Sequence, residues 1–124
     1  MIFSYQKGWL LLCLLYLIVV TNLFAQQDEK ISRIYSSKAG ILFQEKKYSE
    51  AENLLDSALQ FYPENSDALY LKGLLYKANV DSTYDVLFNF EKAIQSGRWD
   101  GLNAYDCIQD YAEILLRIGR TPEA

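Results

Sequence analysis

Polar and apolar residues are distributed in two different ways along this chain, and the change falls near residue 25. From Trp9 to Val20 twelve residues run without a charge. From Gln26 onward, apolar residues recur with the period of a helix. Ala51, Leu54, Leu55, Ala58, Leu59 and Tyr62 follow i, i+3, i+4, i+7, i+8, i+11, which is one stripe of an amphipathic helix. Ile31, Ile34, Tyr35, Ala39 and Leu42 make a second stripe. Val86, Leu87, Phe90, Ala93 and Ile94 make a third. No strand-like alternation of useful length occurs, so an all-α fold is expected. A further helix over Asn103–Ile118 is apolar around much of its circumference, with Ala104, Tyr105, Ile108, Tyr111, Ala112, Ile114, Leu115, Leu116 and Ile118.

The residues that start and stop helices fit this reading. Ser49-Glu50-Ala51-Glu52 has the form of a capping box, in which hydroxyl and carboxylate satisfy free amides of the first turn. Pro63 predicts a helix end near Phe61, and Asn65 or Ser66 can cap the next helix. Gly97 and Gly119 stand where helices should stop. Thr121-Pro122 reads as a further helix start.

The stripes repeat. Tyr35, Ala39 and Leu42 recur 34 residues later as Leu69, Gly73 and Tyr76. Ala51, Leu55 and Ala58 recur 35 residues later as Val86, Phe90 and Ala93, which implies one extra residue in the Ala78–Asp81 turn. A partial third copy, Ile108, Ala112 and Leu115, follows at a spacing of 39, which places about four extra residues around Gly97–Asn103. On these residues the chain resembles the tetratricopeptide (TPR) family, whose unit of 34 residues is two antiparallel helices. The first copy keeps Tyr35, Ala39, Tyr48, Ala51, Ala58 and Pro63. The second keeps Gly73, Tyr76, Phe90 and Ala93, but has Val86 in place of a small residue and lacks the final proline. The third shows Ala112, and its run from Leu116 to Ala124 looks like the turn into a second helix. The expected organisation is repeats at about 32–65 and 66–100 with a partial copy at 105–124, all within a helical-repeat domain of residues 26–124.

Ahead of that domain, Lys7, the apolar run and a small residue before a polar start give residues 1–25 the pattern of a secretory signal peptide cleaved after Ala25. Leu23 is bulkier than the usual residue two places before the cut. The rival reading is an uncleaved anchor, since Gly8–Ala25 is only just long enough to cross hydrocarbon. Either way the domain is expected outside the cytoplasm, periplasmic or extracellular, and it meets a membrane only through this segment. Cys13 follows Leu12 within the run, a poor setting for lipidation. Cys107 is then alone in the mature chain, flanked by Asp106 and Asp110, and reads as a small buried helix residue.

Composition removes several classes of function. The 124 residues include 12 Lys+Arg against 16 Asp+Glu, a net charge of −4, with no basic tract to hold a nucleic acid. Histidine is absent, which excludes imidazole ligands and imidazole acid–base catalysis. Glu50/Glu52 and Asp106/Asp110 lack companions for a metal and read as solvated helix faces. No phosphate loop, nucleophile elbow or zincin spacing occurs. No enzyme activity, cofactor or metal is expected.

The resemblance implies a concave surface lined by the first helix of each pair, where repeat proteins bind segments of other polypeptides. Opposite the core stripes stand Arg33, Ser37, Gly40 and Gln44 on the first helix. Tyr70, Leu74 and Lys77 stand on the second, Gln109 and Glu113 on the third. Ser36, Ser37 and Gly40 occupy the place where some TPR modules carry a basic clamp. Arg98-Trp99-Asp100-Gly101 lies in the lengthened connection, with Trp99 expected to anchor it. The expected function is a scaffold or sensory module that binds a protein or peptide, part of a longer protein whose next helix begins at Thr121. The alternatives are a last helix that caps or dimerises, and an anchored arm of an envelope assembly.

Overall fold

The computed structural model describes residues 2–79 and 82–119, with side chains from Ser4 onward. The described residues form five packed helices: α1 (Ile2–Gln44), α2 (Tyr48–Phe61), α3 (Ser66–Asn79), α4 (Thr83–Ser96) and α5 (Ala104–Arg117). The fold is all-α, as the periodicity predicts. The Thr121-Pro122 start lies outside the described residues, as do Val80 and Asp81 of the α3–α4 turn.

Helix α1 is 43 residues long, about 64 Å at 1.5 Å per residue. It runs unbroken through the expected boundary at Ala25. No proline lies within it, and Gly8 and Gly40 are its only glycines, so nothing local interrupts the hydrogen-bond ladder. Its two halves meet different surroundings. Trp9, Leu14, Leu17, Leu23 and Phe24 are all exposed, whereas Ser32, Ser36 and Ala39 are buried. The stripe expected on this helix is therefore rotated: Ile34 is 55% exposed, and the seam against α2 is made by the small residues. Close approach of two backbones selects size over polarity here, provided the hydroxyls are bonded.

The α1–α2 turn departs from the sequence reading. Lys46 takes the left-handed conformation (φ 62°). The amides of Lys46 and Lys47 return to the carbonyls of Phe43 and Leu42 at 3.0 and 2.9 Å, the paired bonds of a Schellman turn. This delivers the chain into α2 at Tyr48, whose ring packs on Phe43 at 5.6 Å. Ser49 is consequently inside the helix, and Lys47 at the cap position makes no side-chain cap bond. The capping box expected at Ser49–Glu52 does not form.

Helices α1 and α2 pack antiparallel, and α3 and α4 repeat the arrangement. Ser32 Oγ donates to the Ala58 carbonyl at 2.6 Å and accepts from Asn65 Nδ2 at 2.9 Å. Ser66 Oγ donates to the Ala93 carbonyl at 2.8 Å and accepts from the Arg98 amide at 2.8 Å. Each serine thus satisfies a carbonyl near the end of the second helix of its pair and receives a donor from the segment that follows. Ala39 is fully buried. Gly73 faces Phe90 so closely that an added Cβ would lie 2.5 Å from the ring.

The core has two lobes. Ala39, Ala51, Leu55, Ala58, Ala68, Leu71 and Leu75 form one; Leu69, Tyr70, Val86, Phe90, Ala93, Cys107 and Ile114 form the other. Helix α3 supplies both, so it is buried on two sides, and its apolar residues do not fall on a single stripe. The large side chains Phe90, Leu55 and Leu75 are fully enclosed, each contributing about 1.5–3 kcal/mol by burial.

Pro63 and the end of α2 at Phe61 agree with the sequence. Asn65 caps α3 through Oδ1, which accepts from the Ala68 amide at 3.2 Å. Gly97 (φ 64°) and Gly119 (φ 77°) follow the ends of α4 and α5 in left-handed conformations. The lengthened 97–103 connection folds back on α3. Asp67 accepts from the amides of Gly101 at 2.8 Å and Asp100 at 3.3 Å, and Trp99 meets the edge of Tyr70 with ring centres 6.0 Å apart. Asn103 then caps α5 by accepting from the Tyr105 amide.

Candidate functional site: a groove between α1, α3 and the 97–103 connection

Helices α1 and α3 and the 97–103 connection enclose a groove of roughly 440 Å³. One wall is α1, with Arg33, Ser36, Ser37, Gly40, Ile41, Phe43 and Gln44. The other is α3, with Asp67, Tyr70, Leu71 and Leu74, and Asp100-Gly101-Leu102 closes one end. Gly40 opens the trough: its missing side chain leaves Leu71 as its nearest neighbour, 3.8 Å from where a Cβ would stand.

Of the residues singled out by sequence, Arg33, Ser37, Gln44, Tyr70 and Leu74 meet here. Lys77 does not. It lies in a separate hollow with Thr83, Ile114 and Arg117. Gln109 and Glu113 are exposed on α5, and Glu113 pairs with Arg117 at 2.8 Å. The reason is the long connection, which occupies the end of the groove where a third wall would continue.

Two of the five are already engaged. Arg33 Nη1 donates to Asn65 Oδ1 (3.1 Å) and to the Arg98 carbonyl (2.9 Å), and Nη2 donates to Glu29 (3.3 Å). Asp67 lies 3.9 Å from the same guanidinium, and the Tyr62 ring lies beneath it. Arg33 is therefore a brace between α1, the α2–α3 turn and the 97–103 connection. Tyr70 is almost wholly buried between Phe90 and Trp99, and its hydroxyl donates to Asp110. Burial, followed by that bond and the Asp110 charge, holds the phenol above its ordinary range. Asp110 is thus a half-buried partner of Tyr70, where the sequence reading has it on a solvated face. Ser37 and Gln44 remain exposed, and Leu74 half-buried.

The repeat positions lie in the core or at its margin. Ala39, Ala51, Ala58, Gly73, Phe90 and Ala93 are buried; Tyr35, Tyr48, Tyr76 and Ala112 are half-buried; Pro63 is exposed in the turn. Cys107 is fully buried, with Sγ directed at the Phe90 carbonyl at 3.7 Å. Burial, with the Asp110 charge adding to it, pushes this thiol up to about 12.

Sequence reasoning missed Asp67 and Leu102 as groove walls. The signal available was the carboxylate in the first turn of α3 together with Gly101 in the connection, since a bare loop amide suits a buried carboxylate acceptor. Chemically the site is an apolar trough edged by hydroxyl and amide groups, with the nearest charges already paired. Such a surface holds a chain by shape and hydrogen bonds. Compared with protein-family models, curated proteins and solved structures, the chain matches none of them.

Proposed function

We propose that this protein is an exported, TPR-like helical-repeat module that binds a polypeptide segment in the α1–α3 groove and does no chemistry of its own. The observation that carries the reading is the groove itself, an open apolar trough beside Gly40 whose walls are the first helices of two successive pairs. The duplicated serine relay, Ser32 to Ala58 and Ser66 to Ala93, supports a tandem origin for those pairs. Ser37 and Gln44 supply hydrogen bonds at the rim, and Ile41, Leu71, Leu74 and Leu102 supply apolar area.

The test is selection of random twelve-residue peptides on the full-length chain, with Gly40→Trp as the counter-target. An indole at that position fills the trough without disturbing the helix, in which glycine is the weaker former. The expected result is a set of peptides that bind the parent and lose at least about tenfold in affinity on the variant, some 1.4 kcal/mol. Peptides that bind both equally, or no enrichment, would refute the groove as the binding surface.

A second reading, a membrane-anchored arm of an envelope assembly, draws support from α1. The helix is long and apolar enough to cross a membrane, and it continues without a break through Ala25 into the domain. Sequencing the amino terminus of the exported protein separates the two. Gln26 as first residue means release, and Met1 means a retained anchor.

A further inference from the structure

Where Asp100-Gly101-Leu102 closes the α1–α3 groove, donors and acceptors are unevenly committed. The donors are engaged. The amides of Gly101 and Asp100 go to the Asp67 carboxylate at 2.8 and 3.3 Å. Arg33 Nη1 and Nη2 serve Asn65, the Arg98 carbonyl and Glu29, and Ser36 Oγ donates to the Arg33 carbonyl at 3.1 Å. The Asp100 carboxylate is not engaged. It is exposed, and among the described residues it enters no ion pair, since Arg33 pairs with Glu29 and Asp67 and Arg98 with Glu64. The charged residues lining the groove are Arg33, Asp67 and Asp100, one cation against two anions. Glu29 and Lys30 line the adjoining hollow, and their charges cancel.

Away from this end the trough is lined by Ile41, Phe43, Leu71 and Leu74 as far as Gln44, with no further charge. From Arg33 to Gln44 helix α1 advances about 16 Å, the span of about five residues of extended chain. A chain running on past the closed end would have to displace the connection, which Asp67, Ser66 and Arg33 hold in place. The occupant therefore ends there. A terminal carboxylate would meet two anions and donors that are already bonded, an arrangement that costs its hydration without return. A terminal ammonium brings three donors and the one positive charge that the lining lacks, and Asp100 offers it both oxygens.

We propose that the groove takes the free amino-terminal segment of a partner polypeptide, its ammonium at Asp100 and about four apolar residues laid towards Gln44. This rests on the groove being the binding surface, and the test keeps the two apart. The full-length chain, immobilised in detergent, is offered three pools of random eight-residue peptides made without lysine, arginine or histidine. One has a free amine and an amidated carboxyl end, one is acetylated with a free carboxylate, and one is capped at both ends. The free-amine pool is expected to be retained about fivefold better than either other pool, the upper range for one exposed ion pair. Asp100→Asn is expected to abolish that preference while leaving the melting temperature unchanged, because the side chain bonds to nothing in the domain. Pools retained equally on the parent and lost on Gly40→Trp overturn this inference and leave the groove reading standing. So does a preference for the free carboxylate, or a free-amine preference indifferent to Asp100→Asn. Retention of every pool at the Gly40→Trp level overturns the groove reading and this inference with it.

Discussion

Two glycines on neighbouring helices respond oppositely to one methyl group. At Gly73 the added carbon would stand 2.5 Å from a Phe90 ring that is itself fully buried, so the ring cannot swing aside. Overpacking of about 1–3 kcal/mol outweighs the gain of about 1 kcal/mol in helix propensity, and Gly73→Ala is expected to destabilise by about 1–2 kcal/mol. At Gly40 the carbon meets only Leu71 at an ordinary 3.8 Å, so Gly40→Ala should gain about 0.5–1 kcal/mol. Chemical denaturation followed by circular dichroism reads both signs. Cys107 makes a second prediction at this scale. Its folded-state pKa is raised from 9.0 to about 12, so the unfolded chain gives up the proton first. The stabilisation is complete below pH 9 and is lost as pH rises towards 12. The denaturation midpoint should fall across that window in the parent, and Cys107→Ala should flatten the fall, leaving the contribution of Tyr70 at the upper end. Residue type alone revealed the small-residue crowding at Ala39 and Gly73. It did not reveal Ser32 and Ser36 in the core, because a hydroxyl reads as a surface group until its acceptor is known.

Individual helices differ in how openly they declare themselves. Helices α2 and α4 each bury one face, so period and pattern coincide and their cores were legible. Helix α3 is enclosed by both lobes, which spreads its buried residues around the axis and hides them from any test for a stripe. The turn at Lys46 was illegible for another reason: the left-handed residue there is a lysine, and the usual glycine signal is missing. That conformation costs roughly 1–2 kcal/mol outside glycine, so Lys46→Gly should be neutral to stabilising in a melting experiment. Helix α1 raises the boundary question most sharply. Its first half packs on nothing in the domain, so a chain starting at Gln26 should melt within about 2 °C of the full-length protein. A larger drop in a thermal scan would mean that the exposed apolar half supports the domain.

Among the described residues, two helix pairs and a fifth helix pack together, and Arg33 ties α1 to the α2–α3 turn and to the 97–103 connection that leads into α5. Arg33→Ala removes three bonds to Glu29, Asn65 and the Arg98 carbonyl, and it leaves Asp67 without its nearest cation. A loss of about 2 kcal/mol is expected, with amide hydrogen exchange rising first at residues 98–102, while Arg33→Lys should recover only part because one ammonium cannot serve the same fork. Part of the groove lining was legible from sequence, because helical period places Arg33, Ser37, Gln44, Tyr70 and Leu74 on its two walls. Its closed end was not, since that depends on where a seven-residue connection folds. The unbroken course of α1 has a mechanical consequence. From Ala25 to Ser32 the rod advances about 10 Å and completes just under two turns. Any tilt or rotation of the apolar half must therefore arrive undamped at the groove. Inserting a single residue in that interval would swing the groove by about 100°, so these few positions work as a vernier that sets the compass bearing of the opening.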